Sequence, residues 1–208
     1  MKEKNDTKKE LEYFRIGRSY GGNQNWMIDP WMHIGGCAAL TTCDLFIYMA
    51  MYKGRSELCP FDVSELTKKE YRKFGMLMKS YLQPRETGIK DLDTYIRGVE
   101  IYIEDSFADD IVLEGVPGTV ECGRAAELIR SQIDSGMPVP YLMLKNRHRE
   151  FDFFEWHWFI VNGYEIRDSR FYIKTATYGK ADWLDFEKLW DTGFDEKGGF
   201  VLVKAKTA

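Results

Sequence analysis

The spacing of apolar and polar positions divides the chain into a helical front and a β-rich rear. From Cys37 to about Lys53, Leu40, Cys43, Phe46, Ile47 and Ala50 recur at spacings of three and four with only a thin polar face. That pattern predicts a buried central helix, which Gly54 ends. Residues 62–82 read as an amphipathic helix, with Thr67 and Glu70 as a capping box. Its stripe of Tyr71, Phe74, Leu77, Met78 and Tyr81 is assigned to the core. Leu92, Tyr95, Ile96, Val99, Tyr102 and Ile103 mark a further helix despite Gly98, followed by a short β segment at 110–113 and a turn at 116–118. Residues 122–135 predict a helix with Ala125, Leu128, Ile129 and Ile133 inward, closed by Gly136 and Pro138. Beyond Met137 the pattern becomes β. Strands are predicted at 139–144, 154–164 and 171–178, the last two joined by a turn near 167–169. A brief helix at 185–191 and a final strand at 200–204 follow. Helices first and sheet afterwards give an α+β class.

Residues 1–12, with four lysines, read as a flexible lead-in. Residues 13–36, rich in Gly, Asn and aromatics, read as a long shaped loop of the kind that often carries function. The expected organisation is a single domain over 13–208, with 62–118 as a helical insertion.

Composition narrows the function classes. A chain of 208 residues, 44% hydrophobic, can bury one core without a metal or a disulfide. A net charge of -4 argues against a nucleic-acid binder, which needs a basic face. The polar start MKEKNDTKKELEYF has no apolar h-region and no apolar run is long enough to span a bilayer, so the expectation is a soluble cytoplasmic protein without a membrane partner. Cys37, Cys43, Cys59 and Cys122 form no CxxC pair, and His33, His148 and His157 show no HxxxH spacing. No structural metal and no cofactor are therefore expected. Each thiol is then either a small buried hydrophobe or a nucleophile.

Cys37 follows Gly35-Gly36 and opens the apolar helix. A thiol at the positive end of a helix dipole is expected to have a lowered pKa, and the two glycines would let a substrate backbone approach. His157 lies in EWHWFIVNGYE, on one strand face with Phe159 and Val161, while Trp156, Trp158 and Ile160 share the other. Taken alone, Cys37 reads equally as a buried core thiol, and a lone His157 reads more readily as a core histidine bonded to backbone. Together they form a Cys–His layout in which imidazole takes the thiol proton and later protonates a leaving amine. The Cys37 N–H is one oxyanion donor, and Gln24 is the natural second, with Asn23 and Asn25 as neighbouring amides.

The order Gln24, then Gly-Gly-Cys37-Ala-Ala opening a helix, then His157-Trp-Phe-Ile-Val-Asn-Gly-Tyr, resembles papain-fold cysteine peptidases, and within them the bacterial double-glycine (bacteriocin) leader peptidase branch. The resemblance touches three short stretches. It implies a papain-like fold, with a Cys-bearing helix on a C-terminal antiparallel sheet, and a peptide or protein substrate. It also implies Cys37 as nucleophile, His157 as base and Gln24 as oxyanion donor. Ala38-Ala39 stand where that family commonly has Gly-Pro. The family also implies an Asn or Asp on the strand after His157, and none stands near Lys174–Thr177. Thr175 or Thr177 can hydrogen-bond the imidazole without carrying a charge, and Asp168 lies in the predicted turn. Tyr178-Gly179 and ADWLDFEKLW read as the closing part of the sheet. Trp26, Trp31, Trp156 and Trp158 are candidates for substrate subsites or for packing. Three readings stay open: a thiol peptidase or amidase, a non-catalytic peptide- or protein-binding module on the same fold, and a thiol-dependent acyltransferase.

Overall fold

The computed structural model describes residues 7–206. In chain order the elements are β1 (Thr7–Glu10), β2 (Arg15–Ile16), β3 (Ser19–Tyr20), α1 (Pro30–Gly35), α2 (Cys37–Tyr52), α3 (Lys68–Met78) and α4 (Leu92–Asp105). They continue as β4 (Ile111–Pro117), α5 (Cys122–Asp134), β5 (Val139–Met143), β6 (His157–Arg167), β7 (Arg170–Thr177), β8 (Lys180–Asp185), α6 (Phe186–Trp190) and β9 (Gly199–Ala205). The class is mixed α+β. One antiparallel sheet runs β4-β9-β5-β6-β7-β8, and β1 joins it on β6. α2 lies against β6 with α3 beside it. No helix among the described residues is long and apolar enough to cross a membrane.

The central helix forms as its composition requires. Every residue of α2 from Cys37 to Ala50 is buried. Asp44 is its only charged residue, so α2 is stable only inside a core. The predicted capping box is half-made: Thr67 Oγ1 accepts from the Glu70 N–H at 3.2 Å, while Glu70 pairs with Lys73 instead. Tyr71, Phe74 and Met78 of the α3 stripe are buried, but Leu77 is exposed, one position off the inward face.

The structure corrects several boundaries. Thr7–Glu10 is not a flexible lead-in: it pairs with β6 from Thr7↔Ile166 to Glu10↔Gly163. Residues 1–6 of that expectation lie outside the described residues. The segment is polar because it is a strand with one solvated face, and Lys174 and Lys8 hold the Glu10 carboxyl below its usual range. Residues 13–36 contain the β2–β3 hairpin, a 3-10 turn at Gln24–Trp26, and α1, capped by Asp29. Residues 62–118 are not simply a helical insertion. β4 runs there through Pro117 and pairs along its length with β9, so the segment completes the sheet, and the predicted turn begins only at Gly118. The strand expected from residue 154 starts at His157, because Trp156 has φ 53 and breaks the extended backbone.

Candidate active site

His157 is placed by a local constraint. Trp156 is left-handed, and its N–H donates to the Leu144 carbonyl at 2.9 Å. The next residue then enters β6 opposite Met143. A strained non-glycine residue beside a candidate base is where such strain tends to be retained. The imidazole is buried, with the Tyr178 ring stacked on it at 4.9 Å and 16°. Burial pushes its pKa down to about 4. Its Nε2 lies 2.7 Å from Thr177 Oγ1 at the end of β7. Thr177 is thus the imidazole's hydrogen-bond partner, and because a hydroxyl both donates and accepts it does not fix the ring tautomer as a carboxylate would.

Cys37 opens α2 and lines one small cavity together with His157, Gln24, Thr177 and Tyr178. The cavity measures about 20 Å³, roughly the room one water needs. The expectation of a lowered thiol pKa is corrected: burial raises it, and the main-chain N–H groups of Trp158, Ala38 and Cys37 pull the other way without overcoming it. Burial thus favours the neutral form of both groups, the thiol of Cys37 and the imidazole of His157.

The covering segment comes from residues 79–91, between α3 and α4. The vacant side of Gly88 Cα faces the thiol, where an added Cβ would lie 3.8 Å from Cys37 Sγ. The Ile89 carbonyl accepts the Trp158 indole N–H at 2.8 Å. Gly35 and Gly36 do not present an open surface for substrate. The Arg85 carbonyl fills the space at Gly35, and Met32 of the preceding turn fills it at Gly36.

Gln24 is buried and lines the cavity. Its Nε2 donates one hydrogen bond to the His33 carbonyl at 2.9 Å, and its Oε1 has no partner among the described residues. One amide N–H is thus spent on holding α1 through the His33 carbonyl. Asn23 serves differently: its Nδ2 donates to the Tyr178 carbonyl at 3.0 Å, tying the Gln24 loop to the β7–β8 turn. Trp26 lies outside the cavity lining, edge-on to Tyr71. Trp158 does border the cavity, while its ring stacks on Tyr95 at 4.0 Å within the core. Trp156 lies under the Lys90 and Lys145 ammonium groups.

The sequence reading missed Asp44. Two turns along α2 from Cys37, its buried carboxylate accepts from Tyr13 Oη at 3.0 Å, Tyr71 Oη at 2.8 Å and the Gly22 N–H at 3.2 Å. It lines the same cavity. Gly22 must be glycine, because a Cβ would sit 1.8 Å from Tyr71 Oη. The available signal was one acid in an otherwise uncharged buried helix. Among the described residues no three His, Cys, Asp or Glu side chains stand together as a metal site.

A prediction follows for the Thr177 hydroxyl. Thr177→Val keeps the β-branch and removes the hydroxyl. It is expected to slow Cys37 alkylation at neutral pH by about fivefold to tenfold, the worth of one hydrogen bond. Thr177→Ser should retain the wild-type rate. Equal rates in all three proteins would remove Thr177 from the site. No protein-family model, curated protein or solved structure matches the chain.

Proposed function

We propose that the chain is a papain-type thiol enzyme that cleaves a peptide or amide bond through an acyl-thioester on Cys37. The observation that carries this reading is the convergence of Cys37, His157, Gln24 and Thr177 on one cavity, with His157 Nε2 engaged by Thr177. When Thr177 accepts from Nε2–H, Nδ1 holds the lone pair that takes the thiol proton. Sulfur then bonds to the carbonyl carbon and the π pair moves onto oxygen. The Cys37 N–H and the second Gln24 N–H are the donors for that charge. Collapse breaks the C–N bond and the amine leaves with the proton from His157. Water, activated by the same imidazole, releases the acid and restores the thiol.

A second reading, a binding module that cuts nothing, draws on the raised thiol pKa and on the Gln24 N–H spent on His33. Incubation with p-nitrophenyl acetate, read by peptide mass spectrometry, separates the two. The enzyme reading expects acetyl on Cys37, removed by hydroxylamine, and its loss in His157→Ala. Acetyl on surface lysines with Cys37 unmodified would favour the binding module. Added amine acceptors test transfer against hydrolysis: an amide product would identify an acyltransferase.

A further inference from the structure

α1 is inverted relative to an ordinary surface helix. Met32 and Gly35 face inward, while Trp31 and Ile34, one turn apart, point out. Ile34 is 65% exposed, Trp31 54%, and Ile28, just before the helix, 74%. Three large apolar side chains so exposed within seven residues are unusual on a protein surface. They stand as separate projections. Ile28 borders a hollow shared with Met76 of α3, Trp31 borders another beside Pro84, and Ile34 borders neither.

The charge beside them is positive. Lys69, Arg72 and Lys73 of α3 border the Ile28 hollow. Lys73 pairs with Glu70, while Lys69 and Arg72 meet no carboxylate in a salt bridge among the described residues. Asp29, the one acid bordering that hollow, is taken by Lys79 at 2.6 Å, a contact that ties α1 to α3. In a face-to-face pair of copies this patch would meet its own Lys69, Arg72 and Lys73, so its charge disfavours that dimer and suits an extended anionic surface. Projecting Trp and Ile tips flanked by Lys and Arg suit a lipid interface. There the tips enter the acyl boundary and the cations meet headgroups, with no enclosing walls needed.

We propose that the α1–α3 face docks peripherally on anionic lipid surfaces. The proposal is independent of the chemistry at Cys37. The test is co-sedimentation of the full chain with vesicles of phosphatidylcholine containing about 30% phosphatidylglycerol, against phosphatidylcholine alone. Binding is expected only to the anionic vesicles, and to fall steeply at about 0.5 M salt. Ile34→Asp and Trp31→Ala are each expected to weaken it about tenfold or more, and Lys69→Gln with Arg72→Gln about tenfold together. These positions are exposed or rim residues, and unchanged circular dichroism would verify that the variants fold. No binding to anionic vesicles would overturn the proposal, as would binding that all these variants leave unchanged. Capture of an acidic Glu/Leu peptide in place of vesicles would likewise overturn it, assigning the face to a protein partner.

Discussion

Asp44→Ala is expected to lower the melting temperature by about 10 °C. The change leaves the Tyr13 hydroxyl and the Gly22 N–H without their buried acceptor, and leaves the Tyr71 hydroxyl only the longer contact to the Leu40 carbonyl at 3.3 Å. Two orphaned buried donors and one weakened one cost on the order of 3–4 kcal/mol together. The loss falls on the loop that carries Gln24, since Gly22 stands two residues before it. Asp44→Asn retains the shape and one acceptor and should cost less. It should also change the pH dependence. Burial raises the Asp44 carboxyl from 3.8 to about 6, so between those values the folded state binds more protons than the unfolded one. The corresponding stability is fully present below about pH 3.8 and is lost as pH rises through about 6, a change on the order of 2–3 kcal/mol. Thermal melts of both proteins from pH 4 to 8 should therefore show Asp44→Asn gaining on wild type as pH rises. Parallel curves would mean that Asp44 does not titrate in this range.

The α+β order and most of the helices were legible because periodicity reports burial directly. α2 and α5 begin where the pattern places them, at Cys37 and Cys122. What could not be read depended on long-range pairing. Thr7–Glu10 is a strand only because β6 extends past the end of β5 and offers it an edge. β4 reaches Pro117 because β9 pairs with it there. At the site, the residue types were legible and their electrostatics were not. A helix N-terminus predicts a lowered thiol pKa, but in this chain burial of the thiol outweighs it. Asp44 escaped notice because its three donors come from segments distant in sequence.

His157→Ala is expected to produce the largest chemical effect. In wild type the imidazole is pushed down to about 4, so it is a neutral base from about pH 5 upward and can take the thiol proton as sulfur reacts. Alkylation of Cys37 should then vary little between pH 5 and 8. Without His157 only thiolate reacts. Burial holds the Cys37 thiol above its ordinary value, so the rate should fall tenfold per pH unit on acidification. At pH 6 the two proteins should differ by roughly a hundredfold or more, the range general-base assistance supplies. Cys122, half-buried and raised to about 11, serves as the internal control for an unassisted thiol.

The most direct measurement is the pH dependence of iodoacetamide labelling at Cys37, read by peptide mass spectrometry in wild type beside His157→Ala. The nucleophile–base pair predicts a flat wild-type profile that becomes a tenfold-per-unit slope in the variant, with Cys122 sloping in both. Identical Cys37 profiles in the two proteins would contradict the pair, leaving Cys37 an ordinary buried thiol and the fold a binding module.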